Sequence, residues 1–214
     1  MLFRSEDVLH QHGASEAILA GEDRQPYGAR NLLQLWPHVL DLARQPRLSE
    51  LLCSCMGLNA GVIRVLFFDK PPGHSWALPW HKDYNIAVAT HGTEGFFTKP
   101  TTKAGVPHVM APLPLLSTML TARIHLDDVT SNNGPLRVIP GSHRFYSTGD
   151  DESRDPISII CRAGDVLLMR PLLTHSSGHS RPETGCHRRI IHLECAMSRE
   201  LPDGYEWHDF GQLR

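Results

Sequence analysis

His81 and Asp83 are two positions apart in the run Trp80-His81-Lys82-Asp83, and in an extended strand that spacing turns both side chains to one face. An imidazole and a carboxylate so placed can hold one metal ion. His175 follows far downstream, in Thr174-His175-Ser176-Ser177-Gly178. An H-x-D pair followed by a distal His is the order of a two-histidine, one-carboxylate facial triad, the donor set of non-haem Fe(II) oxygenases. Those ligands leave coordination positions open, enough for a chelating dianion and dioxygen. The far carboxylate of such a chelate needs a buried cation, and Arg offers a planar, permanently charged fork. Arg188 and Arg189 are both available. Strand alternation puts Arg189, Ile191, Leu193 and Cys195 on one face and Arg188, Ile190 and His192 on the other. The more apolar face packs against helices, so Arg188 is expected inside. The same alternation turns Ala122, Ile124 and Leu126 to the packing side and Thr121, Arg123 and His125 to the pocket.

These residues need a scaffold, and 214 residues supply one domain with a sizeable core. With 21 Lys+Arg against 23 Asp+Glu the net charge is −2, which argues against a nucleic-acid partner. No apolar run approaches the length of a bilayer span and the Met1 start carries no signal pattern, so a soluble, cytoplasmic protein is expected. The 5 Cys include no C-x-x-C and read as reduced thiols. The count of 14 His is high and raises the metal question independently.

From Tyr27 to Met56 apolar residues recur at three- and four-residue steps, predicting two amphipathic helices broken near Pro46. After Gly57 short β-rich runs take over at residues 62–68, 85–89, 121–126, 136–139, 157–161, 165–169 and 189–195, separated by Pro, Gly, Asn and Asp clusters. The expected fold is mainly β with flanking N-terminal helices, a jelly roll of the cupin kind. We divide a single domain, residues 1–214, into helical support at 1–58, a β core at 59–199 and a polar tail at 200–214. Residues 91–116 have no clean period and read as a lid-like insertion. Other chemistry-bearing residues have plainer readings. Asn133-Gly134-Pro135 and Pro140-Gly141-Ser142-His143 are turns. His125, His143, His187 and His192 are core or rim histidines, and His74, His91 and His108 are loop surface groups. Trp76 and Trp80 are equally read as packing residues or as shields beside the metal.

The runs Phe68-Asp69-Lys70-Pro71-Pro72, Trp76 to Asp83, Arg123 to Asp128, Asn133 to His143, Gly164-Asp165, His175 and Arg188 together resemble the phytanoyl-CoA dioxygenase family, over roughly Tyr27 to Ala196. The resemblance implies a double-stranded β-helix and an Fe(II)- and 2-oxoglutarate-dependent dioxygenase that consumes O2. It further implies hydroxylation of a small organic substrate, with release of succinate and CO2. Position by position it implies His81, Asp83 and His175 as iron ligands, Arg188 as the 2-oxoglutarate anchor and Ser177 as a hydroxyl beside that carboxylate. Arg123, on the pocket face, is a further candidate for the co-substrate. Lys82 stands where Gln is common in the family and Arg123 where an aromatic is frequent, so the pocket is not standard. Retention of Asp83 argues against halogenation, which needs a small residue there. Two other classes stand beside this one: a non-catalytic small-molecule-binding module on the same fold, and a cupin-like metalloenzyme without 2-oxoglutarate. The intact quartet of His81, Asp83, His175 and Arg188 disfavours both.

Overall fold

The computed structural model describes residues 28–92, 95–145 and 155–214. The expected helical support within residues 1–27 lies outside the described residues. A short strand, β1 (Gly28–Ala29), leads into helices α1 (Leu32–Leu35), α2 (Val39–Ala43) and α3 (Pro46–Met56). Where the periodicity predicts two helices there are three, because Pro37 and Pro46 each interrupt the backbone pattern. Pro46 sits in the first turn of α3, where its missing N–H costs nothing. Gly57 ends the helix with φ of 90°, a conformation that disfavours a side chain.

The strands that follow are β2 (Gly61–Lys70), β3 (Leu78–His81), β4 (Asn85–Ala87), β5 (Thr98–Lys103) and β6 (Val106–Met110); then, after helix α4 (Leu113–Thr118), come β7 (Leu120–His125), β8 (Leu136–Val138), β9 (Ile157–Ser158), β10 (Val166–Met169), β11 (His175–Ser177), β12 (Arg188–Ala196) and β13 (Gly211–Gln212). They form a major sheet in the order β1-β2-β12-β7-β10 with β13 on β2, a minor sheet β3-β11-β8-β9, and a small sheet β4-β6-β5. All pairings are antiparallel. This is the expected cupin-like jelly roll, a double-stranded β-helix.

The outer face of the major sheet packs on the helices. Ala122, Ile124, Ile191, Leu193 and Cys195 join Leu32, Val39, Leu48, Leu52 and Met56 in one buried cluster, and removing this apolar surface from water is the main term holding helices to sheet. Strand alternation therefore frees the opposite face for polar work.

Two expectations need correction. Residues 91–116 are not an aperiodic loop. They contain the β5–β6 hairpin, whose turn residues Ala104 and Gly105 have φ of 48° and 74°, the positive pair of a two-residue hairpin turn. Thr and Lys on exposed β5 gave no apolar period, which concealed the strand, while Phe97, Val109 and Leu116 are buried beneath it. Gly92 packs on this same region, and a Cβ there would sit 2.7 Å from the Tyr205 ring. Residues 200–214 are not a polar tail either: Trp207 and Leu213 are buried and β13 extends the major sheet. Sparse apolar residues among many polar ones hid that packing.

Candidate active site

β3 and β11 are neighbours, and their register sets His81 directly opposite His175. The ring centroids are 4.2 Å apart. Asp83 lies just beyond β3 and not in one extended strand with His81. Its backbone N–H donates to the Pro171 carbonyl at 2.9 Å, which turns the carboxylate back to the histidines. Asp83 Oδ1 is 3.9 Å from His81 Nε2, and Oδ2 is 3.7 Å from His175 Nε2. One donor atom from each of the three lies within 4.8 Å of the others.

Tautomers follow from the neighbours. His81 Nδ1 donates to the Pro79 carbonyl at 2.7 Å and His175 Nδ1 to the Leu173 carbonyl at 2.8 Å. A carbonyl only accepts, so both rings carry their proton on Nδ1 and present bare Nε2 lone pairs toward Asp83. Burial lowers the His175 pKa and favours the same neutral form. The set fits a divalent first-row metal.

Two motifs read as turns brace these ligands. Lys82, between His81 and Asp83, is buried and donates to the carbonyls of Ser142 and Phe145, each at 2.7 Å. Ser142 Oγ in turn accepts from the Thr174 N–H at 2.8 Å, next to His175. The Pro140-to-His143 turn thus ties the two ligand-bearing segments together. At the other turn Gly134 has φ of 65°, and a Cβ there would fall 2.5 Å from the Gly178 carbonyl and 3.1 Å from Lys70 Nζ.

That lysine was missed from sequence. Lys70 ends β2 opposite Arg188 at the start of β12, and both are fully buried. Lys70 Nζ donates to Ser177 Oγ at 3.2 Å and to the Gly178 carbonyl at 2.5 Å, and lies 4.7 Å from the centre of the Trp76 ring. Burial first, then Arg188 and Arg123, push its pKa down to about 7. Arg188 is lowered by burial to about 10, and burial with Arg188 drives Arg123 well below the ordinary guanidinium. The Nε atoms of Arg123 and Arg188 are buried with no hydrogen-bond partner among the described residues. Three crowded cations with unsatisfied donors make a pocket shaped for a dianion.

Arg189 faces away and forks onto Asp127, with Nε to Oδ2 at 2.8 Å and Nη2 to Oδ1 at 2.6 Å. The face alternation separates the two arginines as expected. Arg188, Arg123, Ser177 and the three candidate metal ligands line one cavity of about 550 Å³. His125 does not line it; its Nδ1 donates to the Asp165 carbonyl at 3.3 Å. His108, expected at the surface, is buried against Arg64 Nη1 at 2.8 Å. Trp76 lines the cavity, whereas Trp80 is 41% exposed at the surface beneath Arg137.

The jelly roll thus brings a three-donor set and a buried cationic pocket into one cavity. The profile of the phytanoyl-CoA dioxygenase (PhyH) family matches residues 4–189, and the chain belongs to that family. It is 30% identical over 90 residues to the iron/alpha-ketoglutarate-dependent dioxygenase ausU of Aspergillus calidoustus, a match spanning 36% of this chain and 30% of that relative. Among solved structures it is similar to the non-heme alpha ketoglutarate dependent carbocyclase SnoK from nogalamycin biosynthesis, with a TM-score of 0.64 at 18% identity over 94% of this chain and 81% of that one. It is also similar to EctD from S. alaskensis with 2-oxoglutarate and 5-hydroxyectoine, with a TM-score of 0.64 at 18% identity over 91% of this chain and 69% of that one. At that identity the structural likeness speaks to fold alone. Among the described residues no helix is long and apolar enough to cross a membrane.

Proposed function

We propose that this chain is an Fe(II)- and 2-oxoglutarate-dependent dioxygenase that hydroxylates a small organic molecule. The observation that carries this reading is the shared cavity: His81 and His175 on the minor sheet, with Asp83 just beyond β3, line it together with Arg188 and Arg123 of the major sheet, and Lys70 lies beside Arg188. His81 and His175 would hold the iron through Nε2 and Asp83 through a carboxylate oxygen. Arg188 and Lys70 would take the far carboxylate of 2-oxoglutarate, with the Ser177 hydroxyl, already oriented by Lys70, as a further donor. Arg123 would balance the remaining negative charge. Bound iron and co-substrate supply the oxidising power, releasing succinate and CO2 as O2 is consumed. The protein's own part is to fix ligand tautomers, neutralise the dianion and keep the pocket dry. A metalloenzyme without 2-oxoglutarate would leave the buried cations with no anion, and a binding module would need no three-ligand set.

The test is succinate release with Fe(II) and 2-oxoglutarate across a metabolite panel, alongside calorimetric titration of 2-oxoglutarate. Binding of 2-oxoglutarate that requires Arg188, with succinate formation that requires His175, is expected. Equal 2-oxoglutarate binding by wild type and Arg188→Met would overturn the reading.

A further inference from the structure

The cavity has a second charged end that the co-substrate does not use. On β2 Arg64, Leu66 and Phe68 line the cavity, on β12 Arg188, His192 and Glu194 do, and Lys70 pairs with Arg188 at the end of the strands. At about 3.3 Å per residue, Arg64 and Glu194 lie roughly 20 Å along the strands from Lys70 and Arg188. The candidate metal ligands project from the opposite sheet between these ends. Asp83 is close enough to Arg64 and Lys103 to favour their charged forms.

Glu194 is the one carboxylate lining this end among the described residues, and Arg64 already claims it through a two-pronged pair, Nε to Oε2 at 2.9 Å and Nη2 to Oε1 at 2.5 Å. His108 accepts from Arg64 behind that pair. Two further cations enter the same wall from different elements: Arg30, after β1, and Lys103, at the β5–β6 turn. Their loops are fastened to each other, because Asn31 Nδ2 donates to the Ala104 carbonyl at 3.2 Å. Asn31 and Ala104 both adopt positive φ, 58° and 48°, so each turn holds a conformation that costs a non-glycine residue energy. Neither the Arg30 nor the Lys103 side chain forms an ion pair or hydrogen bond with another described residue, and both are half-buried. Three cations against one engaged carboxylate leave an excess of positive charge facing the cavity beyond the metal.

We propose that the primary substrate carries an oxyanion, a carboxylate or a phosphate, and that Arg30 and Lys103 bind it as specificity-determining residues while its reactive carbon is presented to the iron. This rests on the oxygenase reading of the same cavity. Arg64 and Glu194 form the rigid floor between the anion and the metal. Because the site bridges β1 and the β5–β6 turn, the substrate would add a second tie between loops that Asn31 and Ala104 already join.

The test uses the whole chain loaded with Fe(II) and saturating 2-oxoglutarate under nitrogen, titrated calorimetrically with benzoate and phenyl phosphate and with the neutral analogues benzamide and phenol. Saturating 2-oxoglutarate keeps the probes off Arg188. At least one acid is expected to bind and the neutral analogues to bind at least about tenfold more weakly, the scale for losing a charge-assisted hydrogen bond. Which acid binds identifies a carboxylate or a phosphate. Arg30→Gln and Lys103→Gln should each weaken acid binding by about tenfold while 2-oxoglutarate affinity stays within about twofold. Lys103 lies on a hairpin turn, so its variant carries the test should Arg30→Gln fail to fold. Equal affinity for acids and neutral analogues, no binding by either acid, or unchanged acid binding in the variants would overturn the proposal. The prior titration of 2-oxoglutarate reads the oxygenase assignment separately: loss there with acid binding intact sinks that assignment and leaves the anion wall standing.

Discussion

Lys70 and Arg188 are register partners across β2 and β12, two fully buried cations side by side with no ion pair to a carboxylate among the described residues. An arrangement of this kind is stable only if one member sheds its proton or an anion arrives. Arg188 is the harder to deprotonate, so Lys70 gives way first, with its pKa lowered from 10.5 to about 7 by burial, Arg188 and Arg123. The groups facing it are Arg188 from β12, Arg123 from β7, Ser177 and the Gly178 carbonyl from the β11 end, and the Trp76 ring. A bound dianion would restore the charged form, so binding above pH 7 takes up a proton. The affinity for 2-oxoglutarate is therefore expected to fall as pH rises above about 7, by up to about tenfold per unit. Without ligand the sign for stability is opposite. The unfolded chain binds more protons than the fold between about 7 and 10.5, so this group's contribution to stability rises with pH across that window. Calorimetry of wild type and Lys70→Met from pH 6 to 9 checks both, and an unchanged pH slope in the variant would remove Lys70 from the account.

The two adjacent arginines should separate by phenotype. Arg188→Met is expected to weaken 2-oxoglutarate binding by about 2–5 kcal/mol, the range for truncating one member of a buried charge pair, with metal binding retained. Arg189→Met breaks the fork onto Asp127 instead. It should lower the melting temperature and leave co-substrate affinity nearly unchanged. If Arg189→Met is the variant that loses 2-oxoglutarate, the face assignment is wrong.

Metal binding should appear as stability. A ligand that binds only the folded chain stabilises it by about 2.7 kcal/mol at a hundredfold excess over Kd. Fe(II) or Mn(II) is thus expected to raise the unfolding temperature of the wild type, and a chelator to reverse it. His175→Ala and Asp83→Ala should lose the shift. A full metal-induced shift in both variants would place the ion elsewhere.

Lys82→Met tests the brace between the ligand segments. Its ammonium serves the carbonyls of Ser142 and Phe145, and stranding such buried acceptors costs about 1–3 kcal/mol each. Lower stability with weaker metal affinity is expected, because the Ser142 turn also holds Thr174 beside His175. Lower stability with metal affinity intact would confine Lys82 to the fold.

The sequence was most legible where the chemistry fixes both residue type and spacing. His81, Asp83 and His175 could be expected to cluster because a facial triad restricts donor identity and order, and Arg188 to face the cavity because alternation on β12 favours it. Lys70 was passed over although Asp69-Lys70-Pro71-Pro72 stood in view, since nothing local says that a lysine at a strand end is buried. Only the β2–β12 register reveals that it meets Arg188. Arg30, Lys103 and Arg64 are likewise scattered in sequence and converge through pairing alone. The β5–β6 hairpin escaped because β5 is a polar edge strand, Thr98–Lys103, with no apolar alternation to read.

That hairpin gives the expectation of a moving cover a narrower physical form. An oxidant generated in an open pocket attacks the protein itself, so an enzyme of this class gains from a site that fills and dries before oxygen reacts. β6 cannot be the moving part: it pairs with β4 through Ile86 and Val109, both buried, directly after Asp83. The base is pinned as well, with the Gly92 N–H donating to the Tyr205 hydroxyl at 3.2 Å and the Phe97 and Tyr205 rings 4.4 Å apart. What remains free to respond is the outer strand β5 and the turn at Lys103, Ala104 and Gly105, which lies over the cavity and touches Asn31. Hydrogen exchange should find the β6 amides protected in every state, because opening them breaks a buried sheet. The amides of residues 98–105 should exchange faster without ligand and slow on addition of 2-oxoglutarate with a bound acid. Equal protection of residues 98–105 in all states would make the hairpin a fixed wall and assign water exclusion to another part of the cavity.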